Sequence, residues 1–226
     1  MMKENTVKIF EQSFKDNWDR PCLTDYNTKE TITYADFARD IAKIHLFYKE
    51  IGIQEGDHVA IIGKNNPTWV TLFLATITYG AVIVPILQDF NPNDAQHIVN
   101  HSEAKLLFAS KSNWESLDFE NMRMVRAALS LDDRTLYEQK EEEVVADVLA
   151  SLEEKFAAAY PNGFTVDDIK YPEVPGDRLM DINYTSGTTG FSKGVMITGN
   201  NLCGNIVYGI NSGLCYNCLL YTSDAA

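Results

Sequence analysis

The chain has 226 residues, 45% of them hydrophobic, with 19 Lys and Arg against 32 Asp and Glu for a net charge of −13. A chain of this size buries roughly 70% of its unfolded surface, and 11 Phe, 11 Tyr and 3 Trp supply a core, which excludes a collagen-like, low-complexity or wholly disordered protein. The acidity argues against a basic stripe for nucleic-acid backbones, so no nucleic-acid partner is expected, but it is compatible with a phosphate site made of backbone amides and one lysine.

Val7, Phe10 and Phe14 recur at helical spacing and predict a first helix over Thr6 to Asn17. The mixed polar start is no secretory leader, and a cytoplasmic location is expected. Thr31 to Thr33 lead into a second helix, where Thr33 and Asp36 have the spacing of a capping box. Phe37, Ile41, Ile44 and Tyr48 then fall on one helix face, and Gly52 is a natural stop. Asp57 to Ile62 reads as a buried strand. Asn65-Asn66-Pro67 opens a helix that Gly80 ends, and Ala81 to Ile86 is a second buried strand. The uncharged run from Val70 to Leu87 raises the question of a membrane span. Its threonines, Gly80 and Pro85 favour a buried helix, a turn and a strand, so no transmembrane segment is expected. Asn91 to Asp94 start a short helix to about His101, and Lys105 to Ala109 form a third strand. Solid apolar strands alternating with helices over short connections predict an α/β fold, a largely parallel sheet flanked by helices.

Residues 110–176 change character and read as a variable acidic helical insert. Within it, Tyr137 to Tyr160 is expected as an amphipathic helix with Val145, Val148, Leu149, Leu152 and Phe156 inward. Glu141, Glu142, Glu143, Asp147, Glu153 and Glu154 are read as its solvated face rather than as a metal site. Pro161-Asn162-Gly163 and the stretch from Pro172 to Gly176 punctuate the exit.

The chemistry concentrates in Thr185-Ser186-Gly187-Thr188-Thr189-Gly190-Phe191-Ser192-Lys193-Gly194, set between an apolar strand, Leu179 to Tyr184, and a second one, Val195 to Thr198. Glycines let the backbone turn tightly and aim N–H groups into one concavity. The hydroxyls of Thr185, Ser186, Thr188 and Thr189 add donors for phosphate oxygens, and Lys193 supplies a mobile positive charge. A Gly/Ser/Thr-rich surface turn is the bland reading, but hydroxyls, glycines and a lysine so dense between two apolar strands favour a phosphate cradle. It is not a Walker A loop: Ser192 replaces the glycine before the lysine, Gly194 replaces the Ser/Thr after it, and a strand rather than a helix follows. A P-loop NTPase and a non-catalytic nucleotide-binding fragment are the alternatives.

Other constellations carry less. His97 and His101 lie four apart on a helix, but Ile98 stands where H-E-x-x-H needs its glutamate, and no metal site is assigned. Cys22 and Cys203 read as small buried or half-buried hydrophobes. Cys215 and Cys218 form a C-x-x-C with no second ligand pair.

The stretch from Ile182 to Lys193 resembles, position by position, the AMP-binding signature of the adenylate-forming enzymes, among them acyl-CoA synthetases, luciferases and peptide-synthetase adenylation domains. Ile32-Thr33-Tyr34-Ala35-Asp36-Phe37 resembles the family's early T-Y-x-[ED]-[LF] helix start. Gly80-Ala81-Val82-Ile83-Val84-Pro85 resembles its G-A-x-x-V-P strand, and Asn65-Asn66-Pro67-Thr68-Trp69 is similar to the N-x-P-x-W of long-chain fatty acyl-CoA synthetases. The resemblance covers residues 6 to 210. It implies the N-terminal part of the adenylate-forming domain over 1–210, with a phosphate-loop hairpin at 179–198. It further implies ATP-dependent, AMP-forming activation of a fatty acid, with ATP, Mg²⁺ and coenzyme A as co-substrates. Thr185, Ser186, Gly187, Thr188, Thr189, Gly190 and Lys193 would bind the β- and γ-phosphates. Peripheral contact with a membrane is compatible with a lipid substrate.

Two positions depart from the pattern: Ser192 stands where the family has proline, and Gly199 where many members have histidine. The adenine motif, the ribose-binding aspartate and the C-terminal domain with its catalytic lysine are expected downstream. No catalytic residue is assigned within this chain, which alone is expected to be inactive. Residues 211–226 do not continue the pattern and read as a non-native tail.

Overall fold

The computed structural model of the chain describes residues 5–185 and 192–211. Asn5 caps the first helix, α1 (Thr6–Asp16), by accepting from the amides of Val7 and Lys8. A two-stranded antiparallel ribbon follows, β1 (Pro21–Thr24) with β2 (Thr31–Thr33). Its first strand escapes the sequence pattern because both strands are short and half exposed. Thr33 then caps α2 (Tyr34–Glu50) in a reciprocal capping box with Asp36. Phe37, Ile41, Ile44 and Tyr48 are all buried, as their spacing on one face requires.

The alternating unit comes next: β3 (His58–Ile62), α3 (Pro67–Tyr79), β4 (Val82–Ile86), α4 (Pro92–His101) and β5 (Leu106–Ala109). Asn66 and Asn91 cap the two helices, each followed by proline in the first turn. Gly80 ends α3 with φ of 93°, a conformation only glycine adopts without strain. The uncharged run 70–87 is therefore a helix, a turn and a strand. Among the described residues no helix is long and apolar enough to cross a membrane.

Segment 110–176 differs from the expected helical insert. After a short helix, α5 (Lys111–Trp114), it adds two strands to the sheet, β6 (Ala127–Ser130) and β7 (Leu136–Gln139), and only then forms α6 (Val145–Ala159). Tyr137 to Gln139 are thus strand, not the first turn of a long helix: they pair antiparallel with β6, a long-range bond that no local periodicity reports. Glu143 is not part of a solvated face either. It makes a two-pronged ion pair with Arg126, at 2.7 and 2.6 Å, while Arg126 also donates to the Ile51 carbonyl. The apolar stripe Val145, Val148 and Phe156 is buried as expected.

The chain closes with β8 (Leu179–Thr185), β9 (Lys193–Thr198) and α7 (Gly199–Asn211). Among the described residues the main sheet has seven strands, in the order β7-β6-β5-β3-β4-β8-β9. The five inner strands are parallel, and the two outer ones are antiparallel to their neighbours. Alternate residues of each parallel strand serve two cores. Val59, Ile61, Ile83, Leu106 and Phe108 pack with α1, α2, α3 and α6, whereas Ala60, Ile62, Val84, Leu107 and Ala109 pack with α4. Coverage on both faces is why these strands read as unbroken apolar runs.

α1 is tied to the segment around Tyr171 by hydrogen bonds of its charged side chains as well as by packing. Glu11 accepts from Lys8 and Lys15 at 2.8 and 2.6 Å and from the Tyr171 amide at 3.0 Å. Burial would raise the Glu11 carboxyl, but the Lys15, Lys8 and Tyr171 donors outweigh it and hold it at about 2.

Candidate functional site

Parallel strands share one carboxyl edge, and in open α/β sheets ligands bind in the crevice outside it. β3, β4, β5, β6 and β8 all end there. β8 ends on Thr185, and the chain returns antiparallel as β9 from Lys193. The ladder runs Asn183 with Val195, Tyr184 with Gly194 and Thr185 with Lys193, so the last register pair joins two of the residues singled out from sequence. Ser186, Gly187, Thr188, Thr189 and Gly190 lie outside the described residues. A strand follows the loop, which is not the helix that a Walker loop opens.

Thr185 and Lys193 are exposed, and no carboxylate among the described residues pairs with the Lys193 ammonium. Gly194 has a reason that sequence alone did not supply. A Cβ there would sit 2.9 Å from Ile182 Cγ2 and 3.1 Å from Tyr184 Cζ, so a side chain at 194 would have to push Ile182 aside. Tyr184 is buried, and its hydroxyl is hydrogen-bonded to His101 Nδ1 at 2.7 Å.

Gly199, the second departure from the family pattern, is also crowded. A Cβ there would approach Met180 Sδ to 3.0 Å and the Gly176 carbonyl to 3.3 Å. The Gly199 amide donates to the Arg178 carbonyl and the Asn200 amide to the Gly176 carbonyl, which turns β9 into α7. Thr6 of α1 donates to the Gly199 carbonyl at 2.8 Å. A histidine at 199 does not fit this corner without moving Met180.

Asp181 is the polar residue that sequence reading passed over, although a carboxylate inside the apolar run Leu179 to Tyr184 was its signal. It is 3% exposed, accepts from Asn183 Nδ2 at 2.6 Å through one oxygen, and has no partner for Oδ1 among the described residues. Burial pushes its pKa up to about 6 against the smaller opposing effect of the Asn183 bond. In the unfolded chain it ionises at its ordinary value near 3.8, so its contribution to stability is lost as pH rises from there through about 6. Asp181→Asn is accordingly expected to be more stable than the parent at pH 7.5, by about 1–3 kcal/mol, with no gain at pH 4. Urea denaturation of both proteins at the two pH values checks this, and the same difference at both would refute it.

The rings of His97 and His101 meet at a tilt of 35°, with centroids 5.5 Å apart. Among the described residues no group of three His, Cys, Asp or Glu could hold a metal ion. Cys22 is half-buried and Cys203 buried. Burial pushes the Cys22 thiol up to about 11, which keeps it a poor nucleophile. Cys215 and Cys218 lie outside the described residues.

The family described as AMP-binding enzyme matches residues 10–221. The chain is 30% identical over 161 residues to fatty acyl-CoA synthetase A of Dictyostelium discoideum, covering 70% of this chain and 23% of that protein. It is 29% identical over 187 residues to 4-coumarate–CoA ligase CCL1 of Humulus lupulus, covering 81% of this chain and 31% of that one. Among solved structures, the N-terminal domain of FACL13 from Mycobacterium tuberculosis superposes with a TM-score of 0.66 at 22% identity, covering 87% of this chain and 44% of that chain. This chain thus spans 23% and 31% of the length of these two curated relatives.

Proposed function

Since this chain belongs to the AMP-binding enzyme family, we propose that its β8–β9 hairpin holds the β- and γ-phosphates of Mg·ATP while a carboxylic acid is activated for transfer to coenzyme A. The observation that carries this reading is the hairpin register. It brings Thr185 opposite Lys193 at the carboxyl edge of the sheet, and in sequence five of the seven proposed phosphate-binding residues, Ser186, Gly187, Thr188, Thr189 and Gly190, stand between them.

In the proposed reaction a carboxylate oxygen attacks the α-phosphorus, pyrophosphate leaves, and a thiol then displaces AMP from the acyl-adenylate. Negative charge grows on the leaving pyrophosphate. The task of the hairpin is to meet that charge with fixed donors: amides and hydroxyls from the 185–190 segment and the ammonium of Lys193. An acidic protein can do this because the donors are local and the charge needed is one lysine.

For the acid we propose a fatty acid, which rests on the relatives named as fatty and long-chain acyl-CoA synthetases. The Asn65 to Trp69 segment supports this less than its sequence promised. Asn66 caps α3, Pro67 opens it, and Trp69 stacks on Phe73 at 5.4 Å, so the segment has a purely structural account. An aromatic acid is the second reading, favoured by the coumarate-ligase relatives. We propose that the chain alone binds phosphates without completing turnover.

Calorimetric titration of this chain tests the phosphate assignment. Mg·ATP and pyrophosphate are expected to compete for one site, and AMP, which lacks the β- and γ-phosphates, is not expected to compete. Equal binding of AMP would place the site elsewhere on the nucleotide.

A further inference from the structure

We propose that His101 and Tyr184 are positioning residues for the phosphate hairpin, a strut that runs from the last residue of α4 to the base of the loop. This inference rests on the phosphate reading above. β9 is an edge strand, and Lys193, Gly194, Val195 and Met196 are all exposed. Beyond its ladder with β8, little among the described residues holds the end that carries Lys193, and an isolated two-stranded end is marginal in water.

Tyr184 supplies the missing support. It is 5% exposed and precedes Thr185 directly. Its ring lies against Gly194, the neighbour of Lys193, closely enough that a Cβ there would meet Cζ at 3.1 Å. Its hydroxyl bonds His101 Nδ1 at 2.7 Å, and the two rings meet edge to face at 5.8 Å and 89°. The phenol is therefore held at its hydroxyl by α4, with Gly194 of β9 close against the ring. Three elements meet one residue before the proposed site, and α4 is itself anchored by Ala95, Ile98 and Val99 in the core. A ring held in this way fixes the twist of the Tyr184–Gly194 pair, and through it the separation of Thr185 and Lys193.

Neither residue touches phosphate in this assignment, so the test must separate positioning from stability. Pyrophosphate affinity is measured by calorimetry, and thermal midpoint in parallel, for the 226-residue chain and four variants. Tyr184→Phe keeps the ring and removes the hydroxyl. His101→Ala removes its partner, and His101→Asn restores a hydrogen-bonding group near Nδ1. Asn100→Ala is the control, because Asn100 bonds the Asn121 carbonyl and the Arg123 amide, away from β8. Tyr184→Phe and His101→Ala are expected to weaken pyrophosphate binding by about 2- to 10-fold, the range one net hydrogen bond supplies. His101→Asn should recover most of the loss, and Asn100→Ala should bind as the parent does. Parental affinity in Tyr184→Phe overturns the strut and leaves the phosphate reading standing. So does an equal loss in Asn100→Ala, which would mean that α4 had merely loosened. A parent chain that binds neither pyrophosphate nor Mg·ATP removes the phosphate reading and the strut with it.

Discussion

Phe14→Ala is expected to lower the free energy of unfolding by about 3–5 kcal/mol, the cost of emptying a large aromatic site in a core. Phe14 is 2% exposed and sits at the centre of an aromatic cluster. The rings of Phe37, Tyr34 and Tyr171 meet it edge-on at centroid distances of 5.1, 5.7 and 6.4 Å. Such pairs contribute beyond the apolar area they bury. These neighbours come from α2 and from the segment around Tyr171, so none can close the void without moving its own backbone, and partial collapse is the expected response. Urea denaturation at neutral pH measures the effect, and a loss below about 1 kcal/mol would mean that the site collapses freely. The loss would extend to the proposed site, because α1 also carries the Thr6 bond to Gly199 at the corner between β9 and α7.

Lys193→Ala is expected to leave the fold intact and cost the adenylation step about 2–4 kcal/mol, the scale of one lost donor to a developing anion. The two halves of that expectation come from different observations. Lys193 is exposed and no carboxylate among the described residues pairs with it, so folding stability should move by no more than about 0.5 kcal/mol. Its backbone keeps the register with Thr185 whatever the side chain is. The catalytic loss is read by ATP–pyrophosphate exchange in an enzyme carrying the full length of the family, alongside the thermal midpoint of the chain. Unchanged turnover would refute the assignment. Lys193→Arg separates charge from shape: the guanidinium keeps the charge but spreads it over a planar fork, so partial activity is expected.

Much of the fold was legible because it is signalled locally. Thr33 with Asp36, Asn66 with Pro67, and Gly80 each act within one helical turn, and the structure uses all of them as caps. The strands His58–Ile62, Val82–Ile86 and Leu106–Ala109 were legible because burial on both faces leaves no polar position. The failures share a different physics. β1 and β7 have four residues each, half exposed, and a period of two cannot be told from one of 3.6 over so short a run. The acidic residues before α6 gave no sign that Glu143 would find Arg126, because that pairing depends on β6 bringing Arg126 to it.

The same division holds at the site. Glycines, hydroxyls and one lysine between two apolar strands are a local pattern, and by itself it determined where a phosphate site would be proposed and which family the chain resembles. What only the tertiary structure decided is what surrounds that pattern. Sheet order set β8 between β4 and β9, register set Thr185 against Lys193, and the return of α4 to the sheet brought His101 to Tyr184 across 83 residues. Crowding at Gly194 and Gly199 exists only once β9 folds back on β8 and the residues before it. The reason is that local dihedral and capping preferences are written within a few residues. Strand neighbours are chosen by the burial of whole faces, a property no short stretch of sequence contains.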